Sequence, residues 1–119
     1  LADANAQSVA DFYKGKTLRI LIGTSAGGEF DRLARLVGRH IGRHIPGSPN
    51  VIAVNVPGAA GVTMSNQLYN TAERDGTTIG VVNNNHPMLE AVGADGVRFK
   101  TTEFGWIGTI APVTDMLVV

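Results

Sequence analysis

The chain has 119 residues, enough for one compact domain and too few for two. Hydrophobic residues make up 44% and charged residues 17%, and ten basic residues against ten acidic ones leave no global field to draw in nucleic acid. Cysteine is absent, which excludes Cys-based zinc sites, thiol catalysis and disulfides, and no apolar run approaches the ~18 residues that span a bilayer.

Residues 1–14 read as an N-terminal segment. Within it Ala4-Asn5-Ala6 has the small-x-small pattern of a signal-peptidase site, a pattern that an Ala-rich terminus explains equally well. Residues 17–23 (TLRILIG) are rich in Leu and Ile and closed by glycine, the signature of a buried strand. After the loop Thr24-Ser25-Ala26-Gly27-Gly28, a helix is expected over 29–45, stopped by Pro46-Gly47. On a helical wheel Leu33, Leu36, Val37, Ile41 and Ile45 share a face, with Arg32, Arg35, Arg39 and Arg43 as a solvated stripe on the flank.

The pattern then repeats. Residues 51–56 (VIAVNV) predict a second strand, Pro57-Gly58-Ala59-Ala60-Gly61 a loop, and 61–72 a second helix. Glu73-Arg74-Asp75-Gly76 is a turn, 77–82 (TTIGVV) a third strand, and Asn83-Asn84-Asn85-His86 leads into a short helix with Pro87 near its first position. Further strands are expected over 104–111 and 115–119, and an apolar run that stops without a turn suggests a longer parent chain. The order βαβαβ predicts an α/β fold, a parallel sheet flanked by helices.

In such sheets ligands bind beyond the carboxyl ends of the strands. Three loops leave in that direction, at residues 24–28, 57–61 and 83–86, all glycine-rich, small or polar and each feeding a helix start. Helix starts carry unpaired N–H groups and about half a positive charge, and glycines let the backbone approach a ligand closely. Two such loops side by side would cradle a carboxylate or phosphate; tight strand-to-helix turns account for the glycines equally well. Phosphate-specific versions fail, because the Gly-Lys-Thr at residues 15–17 precedes the first strand and no G-x-G-x-x-G occurs in the first loop.

Catalytic and metal patterns are weaker still. His40 and His44 stand one helical turn apart, but position 41 is Ile where a zinc-protease helix needs Glu, and the wheel puts both histidines at the helix–sheet interface. His86 is expected to cap the short helix rather than line a pocket. Ser25 lacks a nucleophile elbow, and Glu29 and Asp31 lie where a helix start favours acids anyway. No catalytic residue, metal site or cofactor is expected.

Residues 12–20 (FYKGKTLRI), followed by Gly27-Gly28-Glu29-Phe30-Asp31 and Ala34-Arg35, resemble the opening of the substrate-binding proteins of tripartite tricarboxylate transporters, the TctC-like or Bug receptors. Asn55-Val56-Pro57-Gly58-Ala59-Ala60-Gly61 is similar to the family's N-x-P-G-A-G-G run, Asp75-Gly76-Thr77-Thr78-Ile79 to its D-G-x-T-[LI], and Phe104-Gly105-Trp106-Ile107-Gly108 also fits. Two departures stand out: Ser25-Ala26 where the family has proline before the double glycine, and Ala60 in place of glycine.

The resemblance implies a periplasmic, non-enzymatic receptor of type II periplasmic-binding fold, with residues 15–119 as part of its first lobe. Its ligand would be a small carboxylate and its partners the membrane permease subunits. It implies ligand contacts from Thr24, Ser25, Ala26, Gly27, Gly28 and Asp31 in the first loop, and from Gly58, Ala59, Ala60 and Gly61 in the second. Asn83 and Asn84 would face the same cleft. The competing readings are a small α/β enzyme acting on a phosphorylated or acyl substrate, and an extracytoplasmic sensor domain.

Overall fold

The computed structural model describes residues 7–110. At its centre is β1 (Thr17–Ile22), whose Leu18, Ile20, Leu21 and Ile22 are at most 4% exposed. A strand buried on both faces needs neighbours on both edges and cover above and below. The neighbours are β2 (Asn50–Asn55) and β3 (Thr78–Val81), both parallel to it, in the order β2-β1-β3. Ile20 stands opposite Ala53 and Ile79, and Ile22 opposite Asn55 and Val81, so one apolar row crosses the sheet and ends in a single polar residue, Asn55.

Helix α2 (Glu29–Ile41) covers that row with Phe30 and the fully buried Ala34. It docks through small residues: a Cβ added at Gly38 would lie 3.3 Å from Ile20 Cδ1. Helix α3 (Val62–Asn70) covers the other face, where Met64 is fully buried and Gly80 of β3 has no side chain because Met64 and Leu68 fill the space. The chain thus runs from the central strand to one edge, then across to the other, with a helix on each face.

Two short helices complete the frame. Helix α1 (Val9–Tyr13), not expected from the sequence, starts on Ser8, whose hydroxyl accepts from the Asp11 N–H at 3.1 Å. It is tied down where the Tyr13 hydroxyl donates to the Gly76 carbonyl at 2.9 Å. Helix α4 (His86–Ala91) has Pro87 in its first turn, as the sequence predicts.

Several expectations are corrected. The first long helix stops at Ile41 and tightens into a 3-10 turn, Gly42–His44, that presses Gly42 against the Pro49 carbonyl. Because the helix docks on Ala34 and Gly38 rather than on its largest side chains, Leu36 turns outward and is 46% exposed. For the same reason His40 and His44 are exposed and do not pack at the helix–sheet interface. Of the arginine stripe, Arg32, Arg39 and Arg43 are solvated, whereas Arg35 is half-buried and ion-paired. The strand expected over 104–111 is absent from 104–110: Phe104 and Trp106 pack ring edge to ring face 5.8 Å apart, and Trp106 Nε1 donates to the Thr101 carbonyl. With no strand among the described residues paired to it, ring packing decides its course. The strand expected over 115–119 lies outside the described residues.

Candidate functional site

The three loops leaving the carboxyl ends of β1, β2 and β3 meet. Gly23 and Gly61 touch backbone to backbone: a Cβ on Gly23 would lie 2.8 Å from Gly61 Cα, so only glycine permits this approach. Around the contact lies a narrow cleft lined by Gly23, Thr24, Phe30, Ala60, Gly61, Val81 and Asn83. Its volume is about 10 Å³, room for about one water molecule. Among the described residues no charged side chain lines it.

The loop after β1 is held from beneath. Asp31, in the first turn of α2, is 3% exposed, and both its oxygens are engaged. Oδ2 accepts from the Gly27 N–H at 2.8 Å, and Oδ1 accepts from Arg35 Nε at 3.0 Å and Asn55 Nδ2 at 2.8 Å. Asn55 also donates to the Thr24 carbonyl at 2.9 Å and accepts from Arg35 Nη2 at 2.7 Å. Hydrogen bonds from Arg35, Gly27 and Asn55, in that order of weight, hold the Asp31 carboxyl down at about 2. Asp31 therefore shapes the first loop and is not among the residues that line the cleft. It also occupies the Gly27 N–H, one of the donors expected to face a ligand.

The loop after β2 is held differently. Gly58, Ala59, Ala60 and Gly61 have φ of 139°, 46°, 53° and 91° in succession. A non-glycine residue in the left-handed region costs roughly 1–2 kcal/mol, and two adjacent ones persist only where the surroundings impose them. The loop closes on itself where the Gly61 N–H donates to the Gly58 carbonyl at 2.9 Å. From behind, the ring of His86 reaches the Ala60 carbonyl with Nε2 at 3.2 Å and Ser65 Oγ with Nδ1 at 2.9 Å.

The loop after β3 contributes Asn83, whose carbonyl accepts from the His86 N–H at 3.1 Å. Of the expected site residues, Thr24, Ala60, Gly61 and Asn83 come together on the cleft. Ser25, Ala26, Gly27, Gly28, Gly58, Ala59 and Asn84 are exposed around it without lining it. Thr24 brings an unsatisfied group: its Oγ1 is buried and has no hydrogen-bond partner. A buried hydroxyl without a partner is rare in folded proteins.

Comparison with protein-family models, curated proteins and solved structures finds no match to this chain.

Three residues that organise the site escape sequence reasoning: Asn55, Arg35 and His86. Asn55 carried a signal, a polar residue at the inward-facing end of an otherwise apolar strand. Ser65 and His86 form a Ser–His pair, yet both are 0% exposed and the second ring nitrogen faces a carbonyl, so the hydroxyl is sealed from any substrate. Capping, the role expected of His86, is not what its side chain does. Among the described residues no three His, Asp or Glu side chains come together as a metal would need, and no helix is long and apolar enough to cross a membrane.

Proposed function

We propose that this chain is the ligand-gathering part of a periplasmic solute-binding receptor of the tripartite tricarboxylate type, holding a small carboxylate for delivery to a membrane permease. The fold in this reading is one side of a type II periplasmic-binding clamshell, and no catalytic step is assigned to it. The observation that carries the proposal is the convergence of all three strand-to-helix loops on one cleft at the carboxyl end of a parallel sheet. The chemistry of the cleft agrees with it. Backbone and two polar side chains, Thr24 and Asn83, line it, and the adjoining N-terminal ends of α2 and α3 supply positive potential without a fixed cation. The unpartnered Thr24 hydroxyl is the natural donor to a carboxylate oxygen.

A cleft this shallow needs an opposing wall to enclose a ligand, and closure must favour the bound state for capture to work. The reading is tested by a thermal-shift screen of the whole gene product carrying this sequence against small carboxylates, inorganic and sugar phosphates, nucleotides and neutral sugars. A matching carboxylate at about 100 times its Kd should stabilise the protein by roughly 2.7 kcal/mol. Stabilisation by a nucleotide or sugar phosphate with every carboxylate inert would sink the proposal and favour an enzyme on a phosphorylated substrate.

A further inference from the structure

His86 occupies a position that the ligand reading does not use. Its ring is 0% exposed and lies between α3, the loop after β2 and Phe99, whose ring centroid is 5.4 Å away. The protonation pattern follows from its partners. A carbonyl oxygen can only accept, so Nε2 carries the hydrogen and donates to Ala60. Burial favours the neutral ring, which leaves Nδ1 bare to accept from the Ser65 hydroxyl. The Ala60 carbonyl thereby fixes the tautomer, and Ser65 holds the plane of the ring by donating to Nδ1.

The same residue closes the third loop. Its backbone N–H donates to Asn83, so ring and backbone together fix Ala60, Gly61 and Asn83, three of the residues lining the cleft. Gly61 lies directly against the ring, where an added Cβ would be in van der Waals contact with His86 Cε1 at 3.4 Å. The Ala60 carbonyl is thus the point at which the run of left-handed residues is anchored to the protein interior.

We propose that His86 is the positioning residue of the cleft: its Nε2–H, oriented by Ser65, holds the Ala60 carbonyl inward and so sets the four-residue left-handed loop that faces the ligand. The proposal rests on the reading of this cleft as the ligand site and adds the device that shapes it. The elements packed on the ring contribute Ser65, Ala60, Gly61 and Phe99, none of them charged. The carboxylate of its own helix, Glu90, is engaged by the N–H and hydroxyl of Thr101 at 2.8 and 2.6 Å.

The test compares wild type, His86→Ala, His86→Gln and Ser65→Ala by NMR and by titration with the carboxylate that stabilises wild type. In wild type the ring nitrogens should report the Nε2–H tautomer, and the Cα and Cβ shifts of Ala59 and Ala60 the left-handed backbone. In His86→Ala those two alanines should move toward coil values while sheet amides stay protected. Carboxylate affinity should then fall about tenfold, the loss of one hydrogen bond to a charged group. His86→Gln, which offers an N–H to Ala60 and a carbonyl to Ser65, should recover most of both. If His86→Ala does not fold, Ser65→Ala makes the test through the orientation of the ring: with Nδ1 unpartnered the hold of Nε2 on the Ala60 carbonyl weakens, and the two alanine shifts should move part of the way toward coil values. Unchanged Ala59 and Ala60 shifts in the folded variant would overturn the proposal. If wild type binds no carboxylate, the receptor reading fails by itself, and the alanine shifts still decide the role of His86.

Discussion

The loop after β1 is held by charged and polar side chains beneath it, Asp31, Asn55 and Arg35, and its own residues, apart from Gly23 and Thr24, stay exposed. The loop after β2 is held instead by its own left-handed backbone and by one neutral ring behind it. Both end on the same cleft, touching at Gly23 and Gly61. The difference teaches that a similar sequence cue, small residues after a strand, can be built into a site by a charged bracket or by a strained turn. The two supports also answer to different proton equilibria, which makes them separable by experiment.

The largest effect is expected where the loops meet. Gly23→Ala puts a methyl 2.8 Å from the Gly61 backbone, with no flexible side chain to give way. It should cost about 3 kcal/mol, at the top of the range for overpacking, read as a lowered denaturant midpoint. A loss below about 1 kcal/mol would show that the loops move apart freely and that the comparison has no common cleft behind it.

Acid separates the two supports. Burial holds the His86 pKa below its ordinary 6.5, so its contribution is complete above that pH and is lost as pH falls through the lowered value. Asp31 is depressed from 3.8 to about 2, so its contribution is complete above 3.8 and disappears as pH falls toward 2. A chemical-denaturation series in pH should show both losses, the histidine one first. His86→Gln should remove only the earlier step and Asp31→Asn only the later. A single unchanged acid limb in both variants would mean that neither support titrates as described.

The smallest effect is at Ala60. Ala60→Gly relieves a left-handed alanine at the cost of a more flexible unfolded chain, and a net gain of about 0.5 kcal/mol is expected. A Tm lowered by this change would show that the Ala60 methyl packs usefully and that the loop is less strained than its angles imply.

Much of the architecture was legible in order. Short apolar runs marked the strands, the first of them closed by glycine, helical spacing marked α2 and α3, and the βαβαβ sequence of elements implied the parallel sheet that is found. The convergence of Thr24, Ala60, Gly61 and Asn83 was legible too, because parallel connections bring all such loops to one end of the sheet. The face of α2 was misread, since a wheel weights large side chains and this helix seats itself on Ala34 and Gly38. The segment 104–110 was misread as strand because its apolar residues fit a pleat, yet no strand edge among the described residues receives it.

What the sequence determined alone was local: where strands and helices run, which loops face the same end, and that no cysteine chemistry takes part. Tertiary structure alone decided which side chains serve the site. Asp31 became a bracket because Asn55, 24 positions away, reaches it across the sheet register. His86 became a clasp because α4 begins where Ser65 and Ala60 converge, 21 and 26 positions back. Hydrogen bonds act over about 3 Å in space whatever the separation along the chain, so partnership is settled only once the elements have packed.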